Sequence, residues 1–321
     1  MLVLSEADVA AVLPMADAIR AVESALRAQA DGKVHQPVRV AIRASAGMFG
    51  SMPCAIEGTG LGAKLVTFYP SNAQRGLHTH HAAIVLFEPQ TGAPIALVDG
   101  RLITEMRTAA TSAIATRWLA AEGAGVVAIL GTGVQARSHV AALAEVGAIR
   151  ELRVWGRTPE RAGLLASRAA QLGIAAKTVT SVADAARGAQ IICTLTPAQA
   201  PILDSFDVEP GTHINAVGSS ASHMQELATA LVGRSRLFVD TIEGALTEAG
   251  DILAAIAEGA LPPKPDLVRL CDVVAGLHPG RTGRDDVTIF KSLGMAIEDI
   301  ACAALVYDRA KAKGLGATVA M

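Results

Sequence analysis

The chain opens on helical patterning. Ser5, followed three positions later by Asp8, marks a helix N-cap, and residues 15–30 carry apolar side chains at helical spacing up to a break at Gly32. Between residues 38 and 98 the period shortens. Runs at 38–42, 62–68 and 82–87 are separated by Gly, Pro and Asn, which predicts strands of an antiparallel sheet. Thr91-Gly92, within 89–94, reads as the turn of a hairpin whose second strand is 95–99, and residues 104–121 return to helical spacing.

A different rhythm begins at Gly125. Short apolar strands at 126–130, 152–155, 191–195, 213–217 and 237–239 alternate with helical stretches, the pattern of a parallel sheet flanked by helices. Pro262, Pro263 and Pro265 interrupt the last part, and 288–308 then reads as one long helix with a mostly apolar face that rejoins the first domain. The expected architecture is α/β. A Rossmann-type parallel-sheet domain spans 119–299, and a second, α+β domain is formed by 1–118 plus 300–321.

Composition narrows the classes of partner. At 321 residues and 51% hydrophobic the chain can bury a substantial core, and 28 basic against 30 acidic residues give a net charge of -2, too little for a nucleic-acid or anionic-membrane surface. No apolar stretch approaches the roughly 20 residues that span a bilayer. Met1 to Ala10 carries Glu6 and Asp8 instead of a basic segment and an apolar run, so no secretory leader is expected and cytoplasm is the expected compartment. Cys54, Cys193, Cys271 and Cys302 form no CxxC pair, and four isolated buried thiols are expected in place of a zinc site. His78 and His80 would share one face of a strand, but no cluster of Cys, Asp or Glu accompanies them and no bound metal is expected.

The chemistry begins at Gly131-Thr132-Gly133-Val134-Gln135-Ala136, which follows an apolar strand and opens a helix. This is the G-x-G-x-x-G/A arrangement, whose glycines allow a tight turn and whose free helix amides bind a pyrophosphate. The second strand ends in Gly156-Arg157-Thr158, where an NAD-preferring fold would place a carboxylate for the ribose 2'-hydroxyl. Arg157 and Thr158 suit a 2'-phosphate instead, so NADPH is expected over NADH, with Arg153 or Arg161 as alternative phosphate partners.

Longer stretches resemble the ornithine cyclodeaminase and mu-crystallin family, especially its ketimine-reductase branch. They are KLVTFY from Lys64, LFEPQTGAPIALVDGRLITEMRTAATSAIAT from Leu86, ILGTGVQARSH from Ile129, INAVGSS from Ile214 and IFKSLGMAIED from Ile289. The resemblance implies a homodimer joined through the N-terminal sheet domain, with substrate held between that domain and the Rossmann domain. It further implies that Arg39 and Arg107 bind a substrate carboxylate, that Lys64 is the active-site lysine, and that His80 lies near the site. The residue types fit these roles. Guanidiniums fix a carboxylate through paired hydrogen bonds, and a lysine in an otherwise apolar strand has its pKa lowered by burial, as a proton donor requires. A structural ion pair is the alternative for each arginine, and a lysine reaching to solvent the alternative for Lys64. Arg107 falls near the expected helix start, where the macrodipole offers a cation nothing.

One departure is informative. The family's cyclodeaminases carry an acid/base aspartate where this chain has Ser220, and a serine cannot supply that base. The expected reaction is therefore NADPH-dependent reduction of a small cyclic ketimine carboxylate, Δ1-pyrroline-2-carboxylate or Δ1-piperideine-2-carboxylate, to L-proline or L-pipecolate. An amino-acid dehydrogenase or ornithine cyclodeaminase is the second reading, and a non-enzymatic NADP-dependent binding protein the third. Glu243, Ser292 and Gly294 are weaker candidates near cofactor or substrate.

Overall fold

The computed structural model describes residues 1–320. The chain divides into two compact units, residues 1–110 together with those from 294 onward, and residues 111–293. These limits differ from the expected 118/119 and 299/300 because one uninterrupted helix runs across the first limit, and because the final helix begins before residue 300.

The first unit begins with β1 (Leu2–Leu4), α1 (Glu6–Val12) and α2 (Met15–Ala30). Ser5 and Asp8 close a capping box on α1, each accepting the other's backbone amide. Five strands and a two-residue piece follow: β2 (Val34–His35), β3 (Val40–Ala44), β4 (Gly47–Ile56), β5 (Gly60–Phe68), β6 (His80–Phe87) and β7 (Pro94–Asp99), leading into α3 (Gly100–Leu119). β4 was not legible in the sequence, because Gly47, Gly50 and Pro53 break its alternation. Strands β4 to β7 pair antiparallel. Their registers put Met52, Lys64, Ile84 and Val98 in one cross-sheet row on the buried face. The other face carries Val40, Ile42, Phe49 and Leu65 exposed.

The second unit alternates strand and helix: β8 (Val126–Leu130), α4 (Val134–Glu145), β9 (Glu151–Trp155), α5 (Pro159–Gln171), β10 (Ala175–Thr178), α6 (Val182–Ala186), β11 (Ile191–Thr194), β12 (Gln199–Leu203), β13 (His213–Ala216), β14 (Gln225–Leu227), α7 (Thr229–Gly233), β15 (Arg236–Val239), α8 (Ile242–Glu248), α9 (Gly250–Ala257), β16 (Leu267–Arg269), α10 (Leu270–Val274) and β17 (Thr288–Lys291). Eight of these strands form one all-parallel sheet in the order β10-β9-β8-β11-β13-β17-β15-β16, and β12 pairs with β14 apart from it. The strand order reverses between β8 and β11, the position at which such sheets open a ligand crevice. This is a Rossmann-type sheet.

The expectation of one helix over 288–308 is corrected. Residues 288–291 are the buried strand β17, inserted between β13 and β15, and the chain then turns through Gly294 at φ +82° into α11 (Ala296–Lys313). A four-residue apolar run reads equally as strand or helix, and the pairing partners that decide it lie far away in sequence. After α11, β18 (Ala317–Thr318) pairs with β1 and completes the first unit's sheet, ordered β18-β1-β7-β6-β5-β4-β2 with β3 on β4. Among the described residues no helix is long and apolar enough to cross a membrane.

Candidate active site

In the first unit, Lys64 sits on the buried face of β5 between Gly62 and Val66, with 2% of its surface exposed. The neighbouring glycines explain what reaches it. A side chain at Gly60 or Gly62 would come within 3.2 or 3.0 Å of Ile300, so their absence lets α11 lie close on the strand. Asp299, adjacent to Ile300, then ion-pairs with the Lys64 ammonium at 2.7 Å. Its second oxygen accepts Arg107 Nε at 3.0 Å, and Glu298 accepts Arg107 Nη1 at 2.5 Å. All four side chains are buried.

Arg107 lies well inside α3 and not at its start, so the helix-start expectation is corrected: α3 begins at Gly100, four residues earlier than the spacing indicated. What holds Arg107 is a structural ion pair with two carboxylates, compatible with a further anion but not dependent on one. Gly294 beside it takes φ +82°, a conformation that favours glycine, and a Cβ there would force the Arg107 guanidinium to shift.

Burial pushes the Lys64 ammonium down to about 8; Asp299 opposes that shift, while the charges of Arg107 and Arg39 add to it. His80, first residue of β6 and half-buried, is pushed to about 4 by burial and then by the charges of Lys64 and Arg107, and is neutral at physiological pH. His78 lies outside β6, so the shared strand face expected for His78 and His80 does not form. Arg39 precedes β3, half-buried and within electrostatic reach of Lys64. The structure therefore brings Arg39, Lys64, Arg107 and His80 into one electrostatic cluster. Glu298 and Asp299 were missed as members. The available signal was two adjacent acids inside the apolar run AIEDIACAAL, where an unpaired carboxylate would not be tolerated.

In the second unit, the turn after β8 is built on backbone. Gly131 adopts φ +131° and a Cβ there would lie 2.6 Å from the Leu195 carbonyl, so only glycine fits. Thr132 is half-buried, and a side chain on Gly156 would strike its methyl at 2.5 Å, which keeps the end of β9 against this turn. Gly133 is the N-cap of α4 without a side-chain cap, a Cβ built on it meets nothing within 4 Å, and Val134 and Gln135 begin the helix with open amides. The buried Gln135 Oε1 has no hydrogen-bond partner among the described residues. An uncapped helix start and open space above Gly133 fit a phosphate-bearing dinucleotide. Arg157 and Thr158 are exposed beyond β9, Thr158 being the N-cap of α5 without a side-chain cap bond. Arg153 is engaged elsewhere, donating Nε to Glu151 at 2.8 Å and Nη1 to the Arg187 carbonyl. Arg161 is exposed in the first turn of α5.

Ser220 is exposed in the loop between β13 and β14. That loop is anchored by a residue the sequence did not flag. The buried Glu226 accepts the amides of Gly218 at 2.8 Å and Ser219 at 3.2 Å, the amide and hydroxyl of Thr196 at 2.7 Å, and the Thr194 hydroxyl at 2.8 Å. Asp251 in turn accepts the Glu226 and Leu227 amides and pairs with the buried Lys291 at 2.8 Å. Glu243 is exposed in the first turn of α8, and Ser292 Oγ is buried at the end of β17 without a hydrogen-bond partner among the described residues.

A parallel sheet with a phosphate-ready turn and a buried cationic cluster around a lysine are now both in place. The family model described as ornithine cyclodeaminase/mu-crystallin matches residues 1–314. The chain belongs to that family. Ketimine reductase mu-crystallin of Rattus norvegicus is 42% identical over 281 residues, covering 87% of this chain and 86% of the rat protein. Among solved structures, Thermococcus litoralis Δ1-pyrroline-2-carboxylate reductase in complex with NADH and L-proline superimposes with a TM-score of 0.96 at 37% identity, over 99% of this chain and 100% of that one. An archaeal alanine dehydrogenase dimer with bound NAD gives a TM-score of 0.95 at 33% identity, over 100% and 99%. Named relatives in this family thus act on cyclic imines or on an amino acid with a nicotinamide cofactor.

Proposed function

We propose that this protein reduces a small cyclic ketimine carboxylate, Δ1-pyrroline-2-carboxylate or Δ1-piperideine-2-carboxylate, to L-proline or L-pipecolate, using NADPH in preference to NADH. The observation that carries the reading is the gathering of Arg39, Lys64 and Arg107 into one cluster with a neutral His80, in which the buried Lys64 ammonium is pushed down to about 8; cations of this kind suit the single carboxylate of such a substrate.

The second unit binds the dinucleotide with the Gly131-Thr132-Gly133 turn and the first amides of α4, and Arg157 with Thr158 takes the 2'-phosphate. When bound, the nicotinamide supplies a hydride to the imine carbon. Arg39 and Arg107 hold the substrate carboxylate, and the Lys64 ammonium gives a proton to the ring nitrogen, which makes the adjacent carbon electrophilic. His80 offers a neutral hydrogen-bonding ring. Ser220 supplies no carboxylate at its own position in the loop after β13, which suits an imine already formed better than repeated proton removal from an acyclic diamine. The two ring sizes differ by one methylene, about 1–3 kcal/mol in an apolar pocket, and both are candidate substrates.

The apolar outer face of the first unit's sheet, with Val40 62% and Ile42 61% exposed, is the proposed homodimer interface. Ile42→Asp should shift the protein to monomer in analytical ultracentrifugation; an unchanged oligomer removes that assignment.

The deciding assay follows loss of NADPH absorbance with each cyclic ketimine, with a keto acid plus ammonia, and with NADH in parallel. Turnover on the cyclic imines without ammonia supports the reading. Turnover only on keto acid plus ammonia favours the amino-acid dehydrogenase reading, for which the likeness to the alanine dehydrogenase dimer speaks. NADPH binding without any turnover would leave a binding protein.

A further inference from the structure

We propose that Asp299 is the positioning residue of this site, holding the Lys64 ammonium in place and staying paired with Arg107 when that ammonium loses its proton. The proposal deepens the preceding reading, since it rests on Lys64 as the proton donor. The geometry is that of a bridge. One carboxylate oxygen of Asp299 meets Lys64 Nζ at 2.7 Å and the other meets Arg107 Nε at 3.0 Å, both inside a region closed to solvent.

The bridge answers a physical difficulty. When Lys64 gives its proton to the ring nitrogen, an N–H bond of the ammonium breaks, the imine gains the charge, and the lysine is left as a neutral amine. A buried aspartate facing only that amine would then be an uncompensated charge, which is costly enough to oppose the transfer. Arg107 remains cationic at every accessible pH and stays on the other Asp299 oxygen. The aspartate therefore stays paired through the cycle, and Lys64 can lose and regain a proton without disturbing its neighbours. The groups that face Lys64 are Asp299 from α11, Arg107 from α3, Arg39 ahead of β3 and His80 from β6. Of these, Asp299 alone favours the charged lysine, while Arg107 and Arg39 disfavour it and His80 is neutral.

The test pairs kinetics with a measurement that needs no turnover. Imine reduction by the native enzyme should fall on an alkaline limb set by Lys64, and Asp299→Asn should move that limb to lower pH by about one unit or more and depress kcat more than KM. Asp299→Glu, which keeps the charge, should restore the limb. In the unmodified protein labelled with 13C-lysine and 13C-aspartate, the lysine resonance absent from Lys64→Met should titrate at the same midpoint as the Asp299 carboxyl resonance. A limb unmoved in Asp299→Asn, or an Asp299 resonance blind to Lys64 titration, overturns the proposal. Should the enzyme reduce no imine, the spectra still decide the Asp299 bridge, and only the assigned reaction fails.

Discussion

Two buried lysines invite comparison. Lys64 in the first unit and Lys291 in the second are 2% and 1% exposed, and each meets an aspartate, at 2.7 and 2.8 Å. Their surroundings differ in sign. Lys291 faces Asp251, whose other oxygen is fixed by two backbone amides, and its charge also reaches the buried Glu226, so a single cation is shared among acids. Lys64 faces Asp299 in the company of Arg107 and Arg39, and burial first, then these neighbouring cations, push it down to about 8. Burial among acids makes a structural strut; burial beside other cations makes a group able to part with its proton.

The contrast can be broken in several ways. Lys64→Met should lower kcat/KM by about 10²–10⁴-fold, the ordinary contribution of a positioned proton donor, in steady-state assays with the cyclic imines. Its effect on unfolding should be mild, because Asp299 keeps Arg107 and the crowding is relieved. Lys291→Met, by contrast, leaves Asp251 without its cation and should cost about 3–5 kcal/mol in urea unfolding. Equal losses of stability in the two variants would mean that the two lysines do the same work.

A smaller effect is expected at the cofactor. Arg157→Ala should raise KM for NADPH about 10- to 100-fold and leave NADH nearly unchanged, since only the 2'-phosphate loses a charge-assisted bond. Comparable loss for both cofactors would move the assignment to Arg161.

The smallest is a pH effect concentrated in the second unit. Burial pushes His139 to about 4 and His213 to about 3, with His80 of the first unit at about 4. Each is neutral when folded, while an unfolded histidine titrates near 6.5. Stability from these groups is therefore complete above about pH 6.5 and is lost progressively as the pH falls toward about 4, because the unfolded chain takes up the protons. Urea midpoints measured from about pH 7 down to about pH 5 should decline; a flat profile would show the rings to be charged or solvated in the fold.

How much of this was legible follows the range of each interaction. The strand–turn–helix junction at Gly131–Gln135 was readable because such a turn is made by neighbouring backbone, and local spacing states it outright. The capping box at Ser5 and Asp8 was readable for the same reason. The strand Thr288–Lys291 was mistaken for helix, since its apolar run acquires a meaning only between β13 and β15.

The sequence by itself determined the α/β class, the family and the glycine turn that follows β8. Tertiary structure alone decided that Asp299 and Glu298 close on Arg107 across 192 and 191 positions, and that Glu226 and Asp251 tie down the Ser220 loop. The physical reason is that a buried charge must find its partner in space, and which segments a sheet and a returning helix bring together is a property of the whole fold.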